Sequence, residues 1–480
     1  MPSEAPLFVD LDGTVIKSDM LFESFLWLLK HRPWILLFTP LWLLRGRATL
    51  KYEIASRARP NIENLPLNPD FMEFLTQQSG SGREIILISA SDERVTRSVA
   101  DHLGLFTQAF GSDAANNLKA EKKLQRIQSL CGETSFAYAG DSAADLVVWQ
   151  NAAQIISVNA SSDVRRKIDS LQRLSHPESR EEDLHFDEPQ PSFALLRSMR
   201  PHQWLKNALL FLPLLLSHRV QETDLLFAAS IGFAAFSLCA SSVYLLNDML
   251  DLESDRLHAT KKTRPFAAGE LSLRSGFLLA PALLVAAFCC AALLNAEFLL
   301  TLAGYWLATL CYSLRLKSLL FIDALTLACL FCARILAGAA AIEVTATTWL
   351  LSFALLLFFG LALVKRHAEL MNLRRQGKRE TAGRAYRVSH LPLLSTLGPS
   401  ANVAAIAVFA FYALGDSAAE LYSQPLLLLA ACPGMFYLVA RVWRLARAGE
   451  LEEDPVRFAI KDKISQLVIA LCVGVFWLAI

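Results

Sequence analysis

The chain has 480 residues, of which 54% are hydrophobic and 19% charged, with a net charge of +1. That length accommodates two or more domains. The apolar excess, with a mean hydropathy of +0.36, suits an integral membrane protein better than a soluble enzyme, and the near-neutral charge suggests no nucleic-acid partner. Of nine cysteines, only Cys131 lies outside the apolar second part. Cys329 and Cys332 form a CxxC inside an apolar run with no second pair, so the thiols read as packing groups rather than metal ligands.

Residues 1 to about 175 alternate short apolar runs (LFVDLD, EIILISA, FAYAGD, AQIISVN) with helical stretches such as LKAEKKLQRIQSL. This alternation predicts a doubly wound α/β domain with a parallel sheet, with function at the carboxyl ends of the strands. No secretory leader precedes LFVDLDGT, so this part is expected in the cytoplasm. Four motifs stand in order: VDLDGT with Asp10 and Asp12, ILISAS with Ser89, NLKAEKK with Lys123, and AGDSAAD with Asp141 and Asp145. By spacing, Lys123 is favoured over its neighbours Lys119 and Lys122.

The set resembles the haloacid dehalogenase (HAD) superfamily of phosphatases. The resemblance implies that Asp10 attacks phosphorus and that Asp12 acts as general acid and base. It implies Mg²⁺ held among Asp10, Asp12, Asp141 and Asp145, with Ser89 and Lys123 binding phosphoryl oxygens. Residues of about 15–80 leave room for a helical cap. Its stretch FLWLLKHRPWILLFTPLWLLRGR is expected to rest in the membrane surface, with Lys30, His31, Arg32, Arg45 and Arg47 at headgroups. Packing in a core is the alternative.

Residues 176–192, charged and holding three prolines, read as a linker. From 193 to 480 the chain is a series of apolar stretches. Nine spans are predicted, at about 205–218, 225–247, 274–294, 297–313, 319–341, 347–364, 397–415, 424–440 and 464–480. With the N-terminus inside, the inner loops gather nearly all loop Lys and Arg, eight of them between Lys365 and Arg387, while the outer loops hold only Arg219. That asymmetry places the N-terminal domain and the inner loops in the cytoplasm of a multi-pass plasma-membrane protein.

At the inner end of the second span stands NDMLDLESD. Four carboxylates facing lipid would cost on the order of 10 kcal/mol, so the stretch needs another setting. On one helix Asp248, Asp251 and Asp255 fall at i, i+3 and i+7 and share a face, with Asn247 beside them. A shared face of acids calls for a cation. Mg²⁺, which takes oxygen ligands and bridges to phosphate, suits it. Lys261 and Arg264 follow closely and would neutralise more phosphate charge.

Asn-Asp-x-x-Asp-x-x-x-Asp after an apolar helix resembles the first aspartate motif of the UbiA superfamily of intramembrane prenyltransferases. The second Asp-rich motif of that superfamily is missing, and LVKRHAEL stands in its region. With RPHQWLKN, YSLRLK and ARILAGAAA, this pattern is similar to the polyprenyl-phosphate phosphoribosyltransferase branch, the relatives of the decaprenyl-phosphate enzyme. That resemblance implies a UbiA-like all-α membrane domain that transfers 5-phosphoribose from phosphoribosyl pyrophosphate (PRPP) to a polyprenyl phosphate. Asp248, Asp251 and Asp255 would be catalytic and metal-holding. Lys206, Asn247, Lys261, Arg264, Lys317, Arg334, Lys365, Arg366 and Glu369 would bind substrate.

Arg334, inside an apolar span, is a functional candidate; its alternative is a structural partner for Asp323. The fused phosphatase would then remove the product's 5-phosphate, in a step of arabinan-precursor type, with one Mg²⁺ in each domain. Three alternatives stay open: prenyl transfer to an aromatic acceptor, a HAD domain acting on an unrelated phosphate, and a HAD domain that is a non-catalytic module. An oligomer is compatible with the sequence.

Overall fold

The computed structural model describes residues 5–114, 116–132, 134–174, 183–187, 193–377, 384–451 and 455–480. They divide into two compact units. One is Met1–Met199 with Tyr244–Pro281; the other is Arg200–Val243 with Ala282–Ile480.

The first unit is built on a six-stranded parallel sheet. Its strands are β1 (Leu7–Val9), β2 (Ile85–Asp92), β3 (Gln108–Ser112), β4 (Ala137–Gly140), β5 (Gln154–Val158) and β6 (Leu184–Phe186), in the order β3-β2-β1-β4-β5-β6. Alternate residues serve opposite faces, as a pleat requires. Leu7, Val9, Ile85 and Leu87 enter one core, while Phe8, Ile86, Ile88 and Tyr138 enter the other. With both faces covered, the strands read as unbroken apolar runs.

Helices α1 (Met20–His31), α2 (Thr39–Leu44) and α3 (Arg47–Arg57) form a separate layer around Leu28, Trp42, Ile54 and Ala58. Helix α4 (Pro69–Gly80) instead buries Phe71 and Leu75 in the sheet core. The sheet is completed by α5 (Glu93–Leu103), α6 (Glu121–Cys131), α7 (Leu146–Trp149) and α8 (Ser162–Leu174). Part of the predicted linker is corrected here. Leu184–Phe186 is the edge strand β6, because Leu184 and Phe186 pack on the sheet core. Residues 175–182 and 188–192 of that region lie outside the described residues.

From residue 194 onward the described chain is helical, and its residues 200–243 and 282–480 make up the second unit. After α9 (Ala194–Met199) come a 3₁₀ stretch Pro201–Phe211 and the short α10 (Leu212–Leu216). Long helices follow: α11 (Thr223–Leu250), then past the short α12 (Leu252–Arg256), α13 (Leu273–Ala292), α14 (Ala296–Leu314), α15 (Ile322–Ala341), α16 (Thr348–Arg375) and α17 (Leu391–Leu414). The chain closes with α18 (Asp416–Ala419), α19 (Cys432–Ala448), α20 (Pro455–Lys461) and α21 (Lys463–Ala479).

Seven helical segments among the described residues are long and apolar enough to cross a membrane, against nine predicted spans. The first predicted span is the 3₁₀ stretch joined to five-residue α10, with Pro213 near the join. The last is the 17-residue α21, a shorter apolar helix.

Candidate active sites

In the strand order β3-β2-β1-β4-β5-β6, the connections leave β1 in opposite directions, which opens a crevice beyond the carboxyl ends of β1 and β4. Asp10 directly follows β1 and Asp141 directly follows β4, whose residues are paired in register. Asp145 sits at the end of the next short turn. Carboxylate oxygens of Asp10, Asp141 and Asp145 all lie within 4.8 Å of one another. Gly13 makes the approach possible: its φ is +81°, and a Cβ there would collide with the Asp141 carboxylate.

Lys123, from α6, is buried and bridges two of these acids. Its Nζ lies 2.7 Å from Asp10 and 3.3 Å from Asp145. Tyr138 Oη donates to Asp145 at 2.7 Å, and Ser142 donates to it from both N and Oγ. Burial alone would raise the Asp145 carboxyl, but Lys123 and these donors hold it below its ordinary range. Asp10 and Asp141 are pushed up, first by burial; the neighbouring acids add to this. Three hard oxygen donors at one point fit Mg²⁺.

Asp12 points elsewhere. Its Oδ1 accepts from Met20 N at 2.9 Å, at the start of α1, and its Oδ2 accepts from Ser91 Oγ at 2.5 Å. Among the described residues it is not part of the converging acid group. Burial, then the charge of Asp19, pushes its carboxyl up to about 7. Ser89 is fully buried, and its Oγ accepts from Ser91 N at 3.0 Å.

The sequence reading passed over Ser91, Lys51 and Tyr138. Lys51 Nζ donates to Ala90 O at 2.7 Å, and it lines a small cavity with Ser24, Ser91 and Asp92 under the cap helices. The signal for Ser91 was present: it lies two residues beyond Ser89 and so on the same strand face.

The cap also carries an exposed apolar stretch. Trp34, Leu37, Phe38, Leu41, Leu43 and Leu44 are all exposed, and so are the flanking Lys30, His31, Arg32, Arg45 and Arg47.

In the aspartate segment, α11 ends at Leu250 and α12 begins at Leu252, with Asp251 between them. The hydrogen bonds Asp251 N to Asn247 O and Asp255 N to Asp251 O, both 2.8 Å, keep the helical repeat nearly intact. Asp248 and Asp255 are buried. Arg264 bridges them, donating from Nη1 to Asp248 at 3.1 Å and to Asp255 at 2.5 Å. Asn247 and Asp251 are half-buried, and Lys261 is exposed on a short 3₁₀ turn. These three aspartates do not converge as the first cluster does. As arranged, they do not fit a three-carboxylate metal site.

In the second unit Arg366, on α16, is buried. It donates from Nε to Asp323 at 2.5 Å, from Nη2 to Tyr312 at 3.3 Å, and from Nη1 to both Glu369 oxygens at 2.7 and 2.8 Å. Arg384 also donates to Glu369, at 2.8 Å. Arg334 lies apart from this group. It donates to Asn207 Oδ1 at 2.9 Å, to Tyr305 Oη at 2.8 Å and to Leu330 O at 2.5 Å. Its alternative role as partner of Asp323 is thereby overturned, since Arg366 fills that place. Lys206 and Lys317 stand half-buried on 3₁₀ turns, and Lys365 is half-buried on α16.

A doubly wound domain with acids at its switch point is thus joined to a helical membrane domain with buried arginines. The profile of the UbiA prenyltransferase family matches residues 208–476, and that of haloacid dehalogenase-like hydrolases matches residues 7–148. The chain belongs to the UbiA prenyltransferase family and carries an N-terminal haloacid dehalogenase-like domain.

It is 37% identical over 478 residues to the uncharacterized protein y4nM of Sinorhizobium fredii, covering 99% of this chain and 91% of that one. It is 31% identical to nodulation protein NoeC of Azorhizobium caulinodans, over 60% of this chain and 94% of that one. To the decaprenyl-phosphate phosphoribosyltransferase of Mycolicibacterium smegmatis it is 30% identical, over 60% of this chain and 92% of that one.

Proposed function

We propose that the protein is a bifunctional membrane enzyme. Its membrane domain transfers 5-phosphoribose from PRPP to a polyprenyl phosphate, and its N-terminal domain hydrolyses the 5-phosphate of the product. The similarity to relatives named decaprenyl-phosphate phosphoribosyltransferase carries the first half. Residues 365–370, KRHAEL, stand where an ordinary prenyltransferase has acids, and this supports it.

In the transfer, a lipid phosphate oxygen attacks C1 of the ribose, and the bond from C1 to pyrophosphate breaks. The leaving group takes the bonding pair, so cations must receive it. Arg264, held by Asp248 and Asp255, and Lys261 serve that role, with Asn247 and Asp251 beside them. Lys206, Lys317, Arg334 and Lys365 are further candidates for the sugar and lipid phosphates. Arg366 and Glu369 shape the site through their bonds to Asp323 and Arg384.

In the hydrolysis, an Asp10 oxygen attacks phosphorus while Asp12 gives its proton to the departing C5 oxygen. Asp12 then takes a proton from water, which attacks phosphorus and releases inorganic phosphate and Asp10. The high pKa of Asp12 suits both duties near neutral pH. Lys123 holds Asp10 through their ion pair, and Ser89 and Ser91 would bind phosphoryl oxygens. Asp10, Asp141 and Asp145 would hold Mg²⁺, which offsets the repulsion between carboxylate and phosphate.

Both sites face the cytoplasm in this reading, supported by the loop charges. The exposed stretch Pro33–Leu44 lies in the lipid surface, where a lipid-borne substrate is met.

Purified full-length protein, Mg²⁺, polyprenyl phosphate and ribose-labelled PRPP test the proposal. Label extracted in lipid as ribose without the 5-phosphate supports both halves. Lipid that retains the 5-phosphate overturns the assigned hydrolysis. No labelled lipid at any chain length overturns the transfer.

A further inference from the structure

The helix that opens the cap does more than cover the phosphatase. At its first turn, Met20 N donates to Asp12 at 2.9 Å, and Asp19 caps the helix by accepting from Leu21 N at 2.9 Å. One turn on, Glu23 is buried. It accepts from Ser18 Oγ at 2.5 Å and from both terminal nitrogens of Arg256, at 2.6 and 3.3 Å. The two side chains are only 5% and 6% exposed.

Arg256 closes α12 and directly follows Asp255, one of the two acids that hold Arg264. Its buried Nε has no hydrogen-bond partner, so the pair with Glu23 fixes its guanidinium. Phe277 packs against Phe22 and Phe25 of the same helix, with ring centroids 5.2 and 5.3 Å apart. Gly269, at φ +73°, lies so close that an added Cβ would come within 2.5 Å of Lys17 Cβ. Arg197 pairs with Glu270 nearby. The segment from α12 to the start of α13 is therefore held at both ends, and Tyr244–Pro281 belongs to the compact unit of the phosphatase.

We infer that α1 is a clasp on the aspartate segment and that Glu23 is a positioning residue for pyrophosphoryl-substrate binding in the transferase. The inference rests on the transfer reaction proposed above. Glu23 neutralises Arg256, Arg256 fixes the end of α12, and α12 sets Asp255 against Arg264. A polyphosphate site needs its cations in place before the substrate arrives, so a loosened α12 weakens binding more than turnover.

The test uses full-length protein in lipid nanodiscs with Glu23→Ala, Arg256→Ala, their combination, and Arg256→Lys. The readouts are hydrogen exchange over residues 252–270, KM and kcat for PRPP, and p-nitrophenyl phosphate hydrolysis. Each alanine variant should speed exchange in that segment and raise KM for PRPP about tenfold with a smaller change in kcat. Hydrolysis of the small ester should stay within about threefold. The double variant should be no worse than either single one, and Arg256→Lys should recover part of the loss. Wild-type exchange and KM in Glu23→Ala would overturn the clasp, as would fully multiplicative effects in the double variant. If wild-type protein does not use PRPP, the transfer reading falls, and the exchange measurement alone decides the clasp.

Discussion

Two groups of aspartates in this chain balance their charge in different ways. Asp10, Asp141 and Asp145 meet at one point, with Lys123 at its edge. Asp248 and Asp255 are strung along a helical path and joined by Arg264. The difference follows from backbone geometry. Adjacent parallel strands lie about 4.8 Å apart, so acids at neighbouring strand ends converge without further help. Along a helix each residue rises about 1.5 Å, so positions seven apart are separated by roughly 10 Å. A compact ion can be shared by the first group, whereas in the second a side chain from a later turn reaches in, and its one nitrogen Nη1 meets both Asp248 and Asp255. The guanidinium keeps three N–H donors beyond Nη1, whereas a lysine using two of its three would keep one.

The contrast can be broken at the strand-end site first. Asp10→Asn should lower phosphate release by at least about a thousandfold, because the nucleophile is lost, while ribose label still enters lipid. Equal phosphate release from that variant would refute the assignment. Chelating divalent ions sharpens the comparison: hydrolysis should stop, because its three converging acids would share such an ion. Loss of lipid labelling as well would mean that the aspartate segment recruits a metal together with its substrate.

At the helical site, Arg264→Lys should cut transfer about tenfold or more, since a lysine that spends donors on both acids has no fork left to present to pyrophosphate; p-nitrophenyl phosphate turnover is the control. Lys123→Met leaves two buried carboxylates unpaired. It should destabilise the first unit by about 3–5 kcal/mol, seen as a lower unfolding temperature in the absence of Mg²⁺. The smallest effect concerns pH. Asp12 must be protonated to deliver its proton, and its carboxyl titrates at about 7. The rate of ester hydrolysis should therefore fall as pH rises past about 7, and a flat profile to pH 9 would reject Asp12 as the acid.

Much of the α/β site could be read from the chain because its residues sit at strand ends, next to apolar runs that announce themselves. Asp10 and Asp141 each directly follow a strand, and the single lysine chosen by spacing from three is the one that reaches Asp10. Ser91 and Lys51 were missed, since their role depends on how the cap folds over β2.

The membrane half was less legible. Hydropathy cannot distinguish a straight span from a 3₁₀ stretch interrupted near Pro213, so it marks nine spans where seven long apolar helical segments stand among the described residues. Arg366 and Glu369, three apart on a helix, announce their pairing by spacing. The choice of Asp323 by Arg366, rather than by Arg334, depends on packing between helices. The pair of Glu23 and Arg256 spans 233 positions and leaves no local trace in the sequence.

That long-range pairing bears on what a cut in the chain would do. A single nick between Asp187 and Phe193 severs the only covalent path leading forward from the sheet. It leaves Phe277 between Phe22 and Phe25, and Glu23 on Arg256. The two fragments should travel together through gel filtration in mild detergent and separate only under denaturing conditions.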